Sequence, residues 1–226
     1  MPEIAFLDLP DGRRIAYRMR TGAAPTLVFF PGYASDMEGA KALALDAFAE
    51  RRGIGMLRLD YSGTGSSPGN FDDGTLDKWL EESLAAVDRL TEGPLILIGS
   101  SMGGWIALHV ALRRPDRVRA LVGIAVAPDF TDWGLDRGSG GITDAFRESG
   151  QRLLLLGGEI AVDCPVRLVH GESDGDVPLD IAFKTMRALR SSDVQLAVIK
   201  GGGHRLSEPH EILAILRIVA GLLEPA

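Results

Sequence analysis

Short apolar runs alternate with longer helical patterns from one end of the chain to the other. The runs cover residues 4–9, 14–19, 26–30, 54–59, 95–99, 118–126, 166–170 and 194–199. Several are almost continuous in Val, Ile and Leu, such as Leu95-Ile96-Leu97-Ile98 and Leu121-Val122-Gly123-Ile124-Ala125-Val126. A strand covered on both faces reads this way, because neither face meets water. The first two runs flank Pro10-Asp11-Gly12, a turn signal, and predict an opening antiparallel hairpin. Helical patterns fall at 37–52, 75–90, 102–113, 179–189 and 210–223. In the second, Leu76, Trp79, Leu80, Leu84 and Val87 recur at helical spacing, with Glu81, Glu82, Asp88 and Arg89 expected on the solvent side. Repeated strand–helix–strand order predicts an α/β protein: a mostly parallel eight-stranded sheet with helices on both faces.

One stretch breaks the rhythm, about 129–163. It holds Gly138-Ser139-Gly140-Gly141, a run with no packing side chain, followed by a helix-like piece over 142–156. It reads as a small excursion over one edge of the sheet, on the side where α/β folds place ligands.

Length and composition add limits. The 226 residues suit one domain over 1–226, burying roughly 70–75% of the unfolded chain's surface. The formal net charge of −7 argues against nucleic acid as a partner, since phosphate binding needs a basic face. The single cysteine, Cys164, rules out an internal disulfide and a Cys-based zinc site, and reads as a small residue near a strand start. No apolar run approaches the roughly 20 residues of a membrane span. The N-terminus shows no basic region leading into an apolar run, so no secretory signal is expected.

The chemistry centres on Gly99-Ser100-Ser101-Met102-Gly103, which fits G-x-S-x-G with Ser101 in the middle. Ser100 fails the same test because Ile98 stands where glycine is needed. The pattern alone is weak, but an apolar strand leads in and a helix leads out, as a nucleophile elbow requires. A serine hydroxyl needs a base to take its proton. Of four histidines, His109 lies inside the following helix, His170 ends an apolar run and His210 opens the last helix; all three read as structural. His204 follows Gly201-Gly202-Gly203 after the last strand and is the expected base. The base needs a carboxylate to fix its tautomer, and Asp174 and Asp176 both qualify by type. Backbone N–H groups of Met102 and Tyr33 are the expected oxyanion donors. Asp60, before Gly63 and Gly65, reads as a turn-fixing carboxylate, and those glycines lack the spacing of a phosphate-binding loop. Trp105, Phe130 and Trp133 are candidate pocket walls or packing residues.

These residues resemble the α/β-hydrolase superfamily, over nearly the whole chain. Phe30-Pro31-Gly32-Tyr33, Lys41-Ala42-Leu43-Ala44, the stretch from Asp60 to Ser67, Gly99 to Trp105 and Cys164 to Leu168 look like the mitochondrial acyl-protein thioesterases, also described as acyl-glucuronide esterases, and their bacterial relatives. The resemblance implies an α/β-hydrolase fold with a short cap, Ser101 as nucleophile, Asp174 rather than Asp176 as the acid, and His204 as the base. It implies a serine hydrolase acting on a small-molecule ester or acylated thiol through an acyl-enzyme, with no cofactor and no metal. The same triad serves amide or carbon–carbon bond hydrolysis, and a non-catalytic ligand-binding relative is the reading from another class. The chain departs from the family in two ways. It shows no transit peptide, which predicts a bacterial cytoplasmic protein. Its cap is shortened around 134–141, either as a natural short lid or by engineering, and a more open pocket follows from either origin.

Overall fold

The computed structural model describes residues 1–133 and 142–224. Eight strands form one sheet: β1 (Ala5–Asp8), β2 (Arg14–Arg20), β3 (Ala23–Phe30), β4 (Ile54–Leu59), β5 (Leu95–Ser100), β6 (Val118–Ile124), β7 (Val166–Gly171) and β8 (Val194–Ile199). Their order is β1-β2-β4-β3-β5-β6-β7-β8. β2 runs antiparallel to β1 and β4, and every other pairing is parallel. The helices are α1 (Ala40–Arg52), α2 (Leu76–Leu90), α3 (Met102–Arg113), α4 (Phe130–Trp133), α5 (Asp144–Gln151), α6 (Leu179–Ala188) and α7 (Pro209–Leu223). The sheet separates two apolar layers. Trp79, Trp105 and Phe146 lie in one, with α2 and α3; Leu45, Phe48 and Val219 lie in the other, with α1 and α7. β4 and β5 are buried along their whole length, which accounts for their continuous apolar sequence.

Three expectations need correction, each for the same reason: a polar side chain captures backbone or charge. The helix expected from residue 37 begins at Ala40, because the Met37 peptide is held from both sides. Its N–H donates to Asp60 Oδ1 at 2.7 Å, and its carbonyl accepts from Arg58 Nη1. The helix expected over 142–156 spans only Asp144–Gln151. Beyond it the carbonyl of Leu153 accepts from Trp105 Nε1 and His109 Nε2, both at 2.9 Å, and the N–H groups of Leu155 and Leu156 donate to the Asp129 carboxylate at 2.8 and 2.7 Å. Backbone groups committed to side chains cannot join a helical ladder. Glu82, expected in solvent, is buried on α2. It accepts from Ser62 N and Oγ at 2.9 and 2.6 Å and from Arg13 Nη1 at 2.9 Å, and this full set of donors makes its burial tolerable.

The excursion after β6 carries α4 and α5. Phe146 packs edge-on against Tyr33 and Trp79, and Ser149 Oγ accepts from Asp77 N at 2.9 Å, which fixes α5 to the start of α2. The glycine-rich run on which the shortened cap was inferred, within 134–141, lies outside the described residues.

Candidate active site

Ser101 sits between the end of β5 and the start of α3, with φ 54° and ψ −121°. That region is costly for a residue with a Cβ and persists only where the surroundings fix it. Here the surroundings are tight. A Cβ on Gly99 would lie 2.3 Å from the Gly103 carbonyl oxygen, and one on Gly103 would lie 2.1 Å from that of Phe30. The two glycines therefore let strand, turn and helix approach closely, and that approach holds the serine in its conformation. Ser101 N–H donates to the Ile124 carbonyl at 2.9 Å, and its carbonyl accepts from Gly104 and Ala127.

His204 comes from the loop after β8 and Asp174 from the loop after β7. The two loops are laced together: Ser173 N–H donates to Gly202 O at 2.9 Å, and Gly201 N–H donates to Glu172 Oε2 at 3.0 Å. His204 Nε2 lies 3.0 Å from Ser101 Oγ, and its Nδ1 lies 2.9 Å from Asp174 Oδ2. The carboxylate can only accept, so Nδ1 carries the proton and Nε2 offers its lone pair to the Ser101 hydroxyl. The other Asp174 oxygen accepts from the N–H groups of Asp176 and Val177 at 2.9 and 2.8 Å. Burial alone would raise the Asp174 carboxyl's pKa. The His204 hydrogen bond and the Val177 and Asp176 amides outweigh it and hold the group below the ordinary carboxylate value. The Asp174 side chain is 1% exposed and the His204 ring 22%, so the carboxylate is shielded while the imidazole faces the cleft.

The structure thus separates the two carboxylates that residue type left equal. Asp174 meets His204, whereas Asp176 is exposed and lines the cleft. His170 is buried behind Asp174, with Nε2 donating to the Val177 carbonyl at 2.9 Å. His109 is buried beneath the excursion, and His210 is exposed at the start of α7. Cys164 is half-buried two residues before β7, and burial raises its thiol pKa to about 11. Met102 opens α3, where first-turn amides have no intrahelical acceptor. A Cβ on Gly32 would lie 3.3 Å from Ser101 Cβ, which puts the Gly32–Tyr33 backbone beside the serine. The Tyr33 ring walls the cleft, edge-on to Phe71, Phe130 and Phe146. Asp60 fixes the turn as expected, accepting from Ser66 N at 2.8 Å, and also braces the Tyr33 loop through Met37.

A cavity of about 270 Å³ opens from Ser101 and is walled by Met102, Ala127, Phe130, Trp133 and Val177. Trp105 is fully buried beneath α5 and packs on Phe130 instead. Two supporting residues escaped the sequence reading, Asp129 and Arg58. Both act on backbone far along the chain, and no local pattern announces them.

The α/β-hydrolase fold model matches residues 25–143, more than half of the chain. The chain belongs to the α/β-hydrolase family. Within that family it is 36% identical to the mitochondrial palmitoyl-protein thioesterase ABHD10 of Pongo abelii, over 98% of this chain and 80% of that protein. The matched span there is 245 residues, so the relative carries residues with no counterpart in this 226-residue α/β hydrolase. The structure of α/β-hydrolase domain-containing protein 10 from mouse superposes with a TM-score of 0.93 at 35% identity, covering 98% of each chain. A candidate hydrolase from Agrobacterium vitis S4 superposes with a TM-score of 0.90 at 36% identity, covering 98% of this chain and 99% of that one. The mammalian relatives are named as mitochondrial, which does not bear out a bacterial cytoplasmic location. Among the described residues no helix is long and apolar enough to cross a membrane.

Proposed function

We propose that this α/β hydrolase cleaves carboxylic esters or thioesters through an acyl-enzyme on Ser101. The observation that carries the reading is the continuous hydrogen-bonded line from Ser101 Oγ through His204 to Asp174, at 3.0 and 2.9 Å, beginning at a strained serine. His204 Nε2 takes the hydroxyl proton as Ser101 Oγ bonds to the substrate carbonyl carbon. The oxyanion so formed is met by the N–H groups of Met102 and Tyr33. Asp174 stabilises the imidazolium, which then protonates the departing alcohol or thiol as its bond to carbon breaks. Water attacks the acyl-serine, giving its proton to the same ring, and the second collapse frees the carboxylic acid and restores Ser101.

The cavity beside Ser101, walled by Met102, Phe130 and Trp133, takes the acyl group, with the 129–163 excursion as a short cap inside one catalytic domain. The names of the 36% identical relatives support an acylated thiol as one substrate class. Similarity to the Agrobacterium vitis chain supports a bacterial setting.

Hydrolysis of chromogenic acyl esters from two to sixteen carbons, at pH 8, tests the reading. The parent should turn over and Ser101→Ala should lose at least about 10³-fold in kcat. An unchanged rate in the variant would overturn the assignment of Ser101.

A further inference from the structure

A second cavity meets the first at Ser101. It measures about 440 Å³ and shares only Tyr33, Ser101 and His204 with the acyl-side cavity. The side chains that line it are different. Ser35, Lys41, Arg205 and Ser207 stand among small and backbone groups, no large apolar side chain lines it beyond the shared Tyr33, and none of its walls is a carboxylate. The acyl-side cavity, by contrast, has the exposed Asp176 carboxylate at its wall.

Lys41 is placed against its own electrostatics. Burial disfavours the charged form of Lys41, the Arg205 guanidinium disfavours it further, and only the Glu211 carboxylate offsets part of this. Glu211 is itself engaged with the Glu208 N–H at 2.8 Å, in the capping box of α7. Lys41 Nζ donates to the Arg205 carbonyl, so the two residues are tied side by side. Among the described residues the Arg205 side chain makes no ion pair. Two like charges held at one cavity wall, beside a nucleophile, form a site that a bound anion completes.

We infer that this second cavity is the leaving-group subsite and that Lys41 and Arg205 select esters and thioesters whose leaving group carries a carboxylate or phosphate close to the scissile bond. The inference rests on the Ser101 hydrolase reading and deepens it. Charge then orients the substrate: an anionic leaving group is drawn to Lys41 and Arg205, while an anionic acyl group would meet Asp176. Attraction across a cleft of this kind acts on encounter and on ground-state and transition-state binding together, so it reads in kcat/KM.

The test uses four S-butyryl thioesters: of 3-mercaptopropionate, of 2-mercaptoethyl phosphate, of neutral N-acetylcysteamine and of cationic thiocholine. Each kcat/KM is referred to the hydroxide-catalysed rate of the same ester, which removes differences in thiol reactivity. The parent should favour the anionic esters over the neutral one by about tenfold. The preference should shrink as salt is raised. Preference for only one of the two anions would support the subsite and name its anion. Arg205→Glu, at an exposed position that leaves the backbone carbonyl to Lys41, should reverse the order and favour thiocholine. Equal rates for all charges in the parent, or an order untouched by Arg205→Glu, would overturn the inference while leaving the Ser101 reading intact. No turnover of any ester would overturn both.

Discussion

Asp174 and Asp176 show what a single residue's surroundings decide. The two carboxyls lie two positions apart in one loop and are alike by type. Only Asp174 is shielded, takes two backbone amides on one oxygen and offers the other to His204. Asp174→Asn should therefore lower kcat by about 10⁴-fold, because an amide in that place favours the wrong imidazole tautomer. Asp176→Asn should stay within about threefold of the parent on a neutral ester, since this carboxylate, although within 4.8 Å of Asp174 and His204, is exposed and screened by water. Steady-state kinetics on one chromogenic ester checks both, and equal losses in the two variants would contradict the assignment. The motif Gly99 to Gly103 made Ser101 legible in the sequence as the proposed nucleophile, and the glycines before His204 did the same for the proposed base. Which of Asp174 and Asp176 meets His204 was legible only through family resemblance, because it depends on which carboxylate the β7 loop turns inward.

At the scale of elements, strands and helices were readable because β4, β5 and β6 are buried on both faces and α2 on one. The misread places are those where a distant side chain takes over the backbone. Met37 is held by Arg58 and Asp60, and residues 153–156 by Trp105, His109 and Asp129. Such captures join residues tens of positions apart, and periodicity carries no trace of them. The His109 contact has a pH consequence. Burial, with a smaller contribution from Arg113, lowers the His109 pKa to about 4 despite its hydrogen bond to the Leu153 carbonyl. An unfolded histidine titrates near 6.5. Above that value both states are neutral and the contact is at full strength. As pH falls from about 6.5 to about 4 the unfolded state takes up the proton first, and stability drops by about 3 kcal/mol in all. Urea unfolding at pH 7 and pH 4 should show this loss on top of that from the carboxylates. His109→Gln, which can still donate to Leu153, should flatten the slope, and an identical slope in the variant would contradict the account.

For the whole molecule, the fold brings three loops from separate strand ends to one point and puts a cavity of different chemistry on each side of that point's serine. One side, the proposed acyl side, is walled by Phe130, Trp133 and Met102, and the other by Lys41 and Arg205. Residues of this second wall lie 164 positions apart, so no local sequence reading assembles them. Everything in this arrangement depends on Ser101 being activated by His204 and Asp174. Covalent labelling by an alkyl fluorophosphonate, located by peptide mass spectrometry, tests that most directly. The account predicts one adduct, on Ser101, formed at a rate that falls by at least about 10³-fold in His204→Ala. An adduct on another residue, or equal labelling rates in parent and variant, would contradict it.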